Sequence, residues 1–466
     1  MKKGTRAATE GRGLPGIIGR RRLAWGAALF LLVAMLTAGA ALAQQDGDNG
    51  QAAAAQAVSL PETIRVGLAY GVSTVTVSGP QGITVLDLFS AKVLATLPAG
   101  SSLVLTAGAG QISVGDLSAT PGPVLIQPAQ DGAPVALGSR TYRGTLEVRL
   151  AADGTLTCVN TLPLEQYLYG VVPAEMPASW PLAALEAQAV AARTYAVYTA
   201  ESGRFASLGF DISAGQESQV YGGLGREDPR TTQAVDATRG QIMLYNGQPI
   251  LAAFHAASGG YTENSENVWG SYVPYLRGVV DYDQDSPHNN WTVVVPIEQA
   301  EQVLQAANLD TGQLLDVQSL ATGVSGRQVT LRLDGTKGSV DVRGETFRKL
   351  FQLKSTLFKV TELDPSVSAV VMAVPDQNAV AMGAAGTSQV NLSGAVAVDG
   401  TGLIFPVSGT SAVTIQSLPG RLQITGSGWG HGLGLSQWGA RGMALQGHDY
   451  REILAHYYQG ITIQGP

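Results

Sequence analysis

The chain has 466 residues, with 29 Lys and Arg against 36 Asp and Glu, 58 Gly, 22 Pro, five His and one Cys. That length exceeds one ordinary domain and is enough to bury a sizeable core. A charged fraction of 14%, against about 25% in a typical soluble domain, implies a weakly charged surface rich in Gly, Ser, Thr and Gln. The net charge of −7 excludes a nucleic-acid binder, whose phosphates demand a basic face. The lone Cys158 excludes an internal disulfide, and five His with one Cys argue against a dense zinc site.

In chain order, residues 1–43 read as a secretory signal or an N-terminal anchor. Lys2, Lys3, Arg6, Arg12 and Arg20 to Arg22 precede an apolar run from Leu23 to Leu42, and Ala41-Leu42-Ala43 is a small-residue cleavage site. The run, about twenty residues long, also spans a bilayer if it stays uncleaved. Losing residues 1–43 removes seven bases and one acid and takes the net charge from −7 to −13. The expectation is an acidic protein that begins near Gln44 and works outside the cytoplasmic membrane, in the wall or on the membrane's outer face.

A Gln/Ala-rich linker covers 44–58. From 59 to 160, short apolar runs such as IRVGLAY, ITVLDLF and LEVRL alternate with Gly, Pro and Asp, which predicts a β-rich N-terminal region. The first helix predicted is Ser179–Glu201, with Ser179 as its cap and Pro181 in its first turn. Strands and short helices then mix: QIMLYN and PILAAFHA, IEQAEQVLQAANL, VTLRL, SVDVRG and GETFRKLF. The tail 449–458 reads as a helix with Asp449 at its start and Glu452 three residues on, a capping box. The mixture predicts an α+β fold, a mixed β-rich body with a few helices over 161–466, preceded by the β-rich region. Residues 365–420, nearly free of charge, interrupt that body as an insert without chemistry of its own.

Three stretches can carry chemistry. In LPLEQYLYGVVPAEMPASWPLAALEAQAVAARTYA, Glu175 lies between Pro173 and Pro177, in a segment expected to be neither helix interior nor central strand. There it is either a rigidly placed catalytic acid or a first-turn acid favoured by the dipole of the next helix. On that helix, positions 182, 185, 186, 189, 193, 196 and 197 form an apolar stripe broken by Glu186 and Arg193. Arg193 either holds a substrate oxygen or makes a structural ion pair. In ITGSGWGHGLGLSQWGARGMALQGHDY, glycines at 426, 428, 430, 432, 434, 439 and 442 surround Trp429, His431, Gln437 and Trp438. That is a sugar platform or a glycine-rich sheet corner packed by two tryptophans. The third stretch, FHAASGGYTENSENVWGSYVPYLRGVVD, contains His255 and Ser258 but no G-x-S-x-G elbow and no triad order.

These stretches, with SQVYGG at 218–223, GETFRKLFQLKSTLF at 344–358 and ILAHYYQG near the end, resemble in order the stage II sporulation protein D family, which includes the amidase enhancer of bacterial wall lytic systems. The resemblance spans about 160–460, apart from the insert. It implies a lytic transglycosylase acting on peptidoglycan glycan strands in wall remodelling or sporulation, with the family's essential acid, in its E-M-P motif, falling on Glu175. If the glycine-rich stretch 426–442 faces that acid across a cleft, Trp429, His431 and Gln437 are expected to bind the sugar on either side of the scissile bond and Arg193 and Tyr195 to orient it; no cofactor is expected. Some members hold a structural zinc ion near the S-G-G loop; this sequence keeps His255 there but no Cys, so no metal is expected. The competing expectation is a non-catalytic wall-binding enhancer that recruits or activates an N-acetylmuramoyl-L-alanine amidase, which would then be the partner.

Overall fold

The computed structural model describes residues 58–364 and 420–465, together with the backbone of short strands between them. The signal or anchor at 1–43, most of the linker and most of the insert lie outside the described residues.

From Thr63 to Pro163 the chain folds into two antiparallel sheets. One holds Thr63–Val72, Leu156–Pro163, Thr145–Leu150, Val124–Pro128, Ile83–Asp87 and Val93–Leu97 side by side; the other runs from Arg140–Tyr142 through Thr74–Ser78 and Ser102–Gly108 to Ser118–Thr120. Alternate residues point inward, as in Thr74–Ser78, where Val75 and Val77 are buried on either side of the exposed Thr76. Val77, Leu105 and Val114 of one sheet share a core with Val66, Val85, Ile126 and Val148 of the other. Cys158 lies in this core as a free thiol, and burial pushes its pKa up to about 12.

The body is α+β. Strand Leu156–Pro163 runs directly into α1 (Leu164–Glu175), which the sequence reading missed, and α2 (Leu182–Ser202) follows. The predicted cap at Ser179 is not made: Pro181 occupies the N-cap, and Ala184 N–H bonds back to its carbonyl. The expected one-sided stripe on α2 is also corrected. This helix is buried on several sides, from Leu185 and Ala187 through Val190 and Ala192 to Val197. The reason is position: α1 and α3 (Pro229–Ala237) pack on it, and so do α7 and α8, defined below. A helix enclosed in this way loses its polar face.

After the short α4 (Ser265–Trp269), a third core forms around α5 (Ile297–Ala306), α6 (Gly344–Leu350) and the sheet Trp291–Pro296, Arg421–Gly426, Phe358–Asp364. The chain returns through the glycine-rich stretch to α7 (Gln437–Leu445) and α8 (Tyr450–Tyr457). On α8 the predicted capping box is present in full: Asp449 accepts from Glu452 N–H, and the Glu452 side chain accepts from Asp449 N–H.

Candidate active site around Glu175

Glu175 is the last residue of α1, so the segment holding Pro173 is helical, contrary to expectation, and the acid ends one helix instead of standing in the first turn of the next. Pro173 is accommodated inside the last turn. Pro177 disfavours the α region for the residue before it, and Met176 accordingly turns extended, at φ −127° and ψ 138°, while its N–H still bonds to the Val172 carbonyl. The two prolines therefore fix where the helix ends. The carboxyl stands at the negative end of α1, where the peptide dipoles disfavour a second negative charge.

The side chain is half-buried. Its Oε1 accepts from Val220 N–H at 3.0 Å and its Oε2 from Gln437 Nε2 at 3.1 Å. Burial raises its pKa above the ordinary carboxylate range, opposed by those two hydrogen bonds. Val220 belongs to the SQVYGG loop, which is seated on α1 and α2: Gly222 N–H bonds to the Gly170 carbonyl, and Gln219 Nε2 donates to the Ala192 carbonyl at 2.9 Å. Trp180 and Trp438 meet edge to face beside this region, with ring centroids 4.9 Å apart. Three of the motif stretches thus converge on one carboxyl.

Gln437 reaches it because of the chain just before α7. Leu435–Ser436 pairs in parallel with Phe254–His255, and Ser436 Oγ caps α7 by accepting from Gly439 N–H at 3.2 Å. The approach depends on glycine. Gly428, Gly430, Gly432 and Gly434 all have positive φ, and a Cβ at Gly430 would come within 2.6 Å of the His255 Cβ. Arg327, fully buried, ties this stretch to the S-G-G loop by donating to the Gly430 carbonyl at 3.1 Å and the Ser258 carbonyl at 2.9 Å. Sequence reasoning missed Arg327, which stands far from the motifs in the chain. It also missed Gln188, an amide on a core-facing part of α2 and 3.5 Å from the Gln437 nitrogen; a polar residue inside an Ala-rich run was the available signal.

The other expected contacts are placed differently. Arg193 is wholly buried and bidentate to Glu165 of α1, at 2.9 and 2.7 Å, and it also donates to the Gln241 and Val235 carbonyls. Its guanidinium is committed to the core and does not reach the carboxyl, so the ion-pair alternative describes it. His431 neighbours His255 and Trp269, not Glu175. Its Nδ1 accepts from Leu433 N–H at 3.0 Å. Burial, Arg348 and Arg327 push its pKa down to about 3, so the ring is neutral. Tyr195 is half-buried, edge-on to Phe254. Trp429 is 47% exposed, edge-on to His288, with the Lys354 ammonium 5.8 Å from its ring centroid.

In the S-G-G loop, Ser258 is fully buried, donates to Asp281, and lies 3.2 Å from His255 Nε2. A serine nucleophile needs the carboxylate on the far side of the imidazole, but His255 Nδ1 donates to the Leu433 carbonyl. His255 Nδ1 is committed to the Leu433 carbonyl and Cys158 lies in the β-core, away from the S-G-G loop, so the donor set does not fit the zinc site of some family members.

Comparison with known proteins agrees with these motifs. The family described as Stage II sporulation protein matches residues 152–245. Stage II sporulation protein D of Bacillus amyloliquefaciens is 30% identical over 322 residues, covering 66% of this chain and 75% of that protein. The chain belongs to the stage II sporulation protein D family. An uncharacterized protein of Brachyspira hyodysenteriae is 32% identical over 334 residues, 72% of this chain and 74% of that one. The amidase enhancer of Bacillus subtilis is 33% identical over 303 residues, 64% of this chain but only 40% of that longer protein. Glu165 and Arg193, the ion pair that joins α1 to α2, both lie within the matched residues.

Proposed function

We propose that this chain is an exported lytic transglycosylase that cleaves peptidoglycan glycan strands with Glu175 as its acid and base. Membership in the sporulation family and relatives named sporulation protein and amidase enhancer support a cell-wall-related role. The observation that carries the finer reading is a half-buried carboxyl, raised in proton affinity, held by an N–H from the SQVYGG loop and an amide from the glycine-rich stretch. The mechanism needs one such group. Glu175 protonates the glycosidic oxygen as the anomeric bond breaks; the resulting carboxylate takes the proton from the C6 hydroxyl, whose oxygen closes a 1,6-anhydro ring. No water attacks, and the proton that left Glu175 is restored. Trp429, exposed and beside the Lys354 ammonium, offers an aromatic face for a sugar ring. Export rests on the basic, apolar and A-x-A order of residues 1–43.

Glu175→Gln tests the assignment: it should lose release of labelled glycan from purified sacculi while keeping its fold and its sedimentation with sacculi. Unchanged release removes Glu175 from the mechanism. The relative named amidase enhancer favours a second reading, in which the protein activates an amidase without cleaving glycan. Under that reading the wild type releases no glycan, and the Gln variant still stimulates a wall amidase added to sacculi.

A further inference from the structure

Gln188 lies on α2 with no exposed surface, and its Nε2 is a buried amide nitrogen without a hydrogen-bond partner. Orphaned buried N–H groups are rare because the donor gives up water and gains nothing. Its Oε1 lies 3.5 Å from the Gln437 nitrogen, which donates to Glu175 Oε2. A carboxyl from α1, an amide from α7 and an amide from α2 therefore stand in line.

We propose that Gln188 is a positioning residue that acts through Gln437 to favour the protonated form of Glu175, the two amides exchanging ends as the proton comes and goes. With Glu175 ionised, Gln437 must offer its nitrogen, and Gln188 then faces Gln437 with its oxygen and leaves its own nitrogen unpaired. When Oε2 carries a proton, its O–H needs an acceptor, so Gln437 turns its oxygen toward it. Gln188 turns as well, and its nitrogen now donates to the same oxygen, which has two lone pairs. The atom left over is the Gln188 oxygen, and an under-satisfied carbonyl is tolerated more readily than an orphaned N–H. The protonated arrangement is thus the better satisfied of the two. For an acid that must give up a proton and take one back, such a line keeps the carboxyl paired in both states.

Neutral groups surround the carboxyl. They are the Tyr167 phenol from α1, the Val220 N–H from the 218–223 loop, Gln437 from α7 and Gln188 from α2. Of the charged side chains on or beside those elements, Arg193 pairs with Glu165, Arg441 with Asp285, and Glu217 bonds to Tyr70 and Ser213, while Glu186 is half-buried with the like-charged Asp449 near it and Glu201 lies in the last turn of α2. The proposal rests on the reading of Glu175 as a general acid, yet its test needs no turnover.

In the full chain labelled with ¹³C and ¹⁵N in its Gln and Glu side chains, a pH titration followed by NMR should show the Gln188 side-chain amide moving with the same midpoint as the Glu175 carboxyl carbon. Gln188→Met should shift the Glu175 midpoint to lower pH. A Gln188 amide that stays still through the Glu175 titration overturns the proposal, as does a midpoint unchanged or raised in a folded Gln188→Met protein. If that variant does not fold, the wild-type titration decides alone. Sacculus digestion by the same sample separates the two claims: co-titration without cleavage sinks only the enzyme reading, and cleavage with a silent Gln188 sinks only this one.

Discussion

Glu175→Gln keeps the shape of the side chain and removes its charge, so its effect on stability reports how the fold treats that charge. Burial sets the folded pKa of Glu175 above its unfolded value. Its stabilising contribution is therefore complete below the unfolded value, about 4.3 for glutamate, and is lost as pH rises through the folded one. Thermal melts should show Glu175→Gln more stable than the wild type at pH 7, with the difference vanishing below about pH 4; a variant less stable at pH 7 would mean that the ionised carboxyl is the favoured form. Arg193 makes the opposite case. Removing it by Arg193→Ala strands the Glu165 carboxylate and should cost roughly 3–5 kcal/mol in denaturant unfolding, where a purely ligand-facing arginine would leave stability unchanged. The sequence marked Glu175 by its two flanking prolines and Arg193 as a charge on an apolar stripe, which needs a partner. It could not name the partner, since Glu165 stands 28 positions earlier in the chain.

Among the elements, α8 was the most legible because its signals are local: an aspartate, then a glutamate three residues on. Asp449→Ala should lower stability by about 1 kcal/mol, measured as a drop in melting temperature with the sacculus-binding property retained. α1 was illegible for the opposite reason. Pro173 and Pro177 argued against a helix interior, whereas in the structure Pro173 falls close enough to the helix end to be tolerated, and the Gly170 site admits the Tyr221 ring. Tertiary packing overrides local propensity here. The glycine-rich stretch was read as a sugar platform or a sheet corner, whereas its glycines serve close approach to neighbouring backbone: a Cβ at Gly428 would meet the Ser258 carbonyl and one at Gly434 the Ala253 carbonyl. Which of its side chains meets Glu175 was decided by the parallel pairing of Phe254–His255 with Leu435–Ser436, a contact between residues about 180 positions apart, and periodicity carries no trace of such a pairing.

At the scale of the molecule, composition and strand spacing foretold the mixed α+β class, and the third core explains how an insert can be carried. Strands Phe358–Asp364 and Arg421–Gly426 are antiparallel neighbours, with Asp364 opposite Arg421. The two ends of the insert thus meet across one ladder. Replacing 365–420 by a two-residue Asn-Gly turn between the paired Asp364 and Arg421 should leave the melting temperature and glycan cleavage close to those of the full chain; a protein that folds but no longer binds sacculi would give the insert a role in recognition. The β-rich region, the enclosed α2 and the third core together hold three distant motifs around one acid, and the central claim is that this acid cleaves glycan without water. Mass spectrometry of the muropeptides released from purified sacculi tests that claim most directly. The wild type should release 1,6-anhydro-muramic ends and Glu175→Gln none, whereas reducing ends, or glycan strands left intact by the wild type, would rule out a transglycosylase.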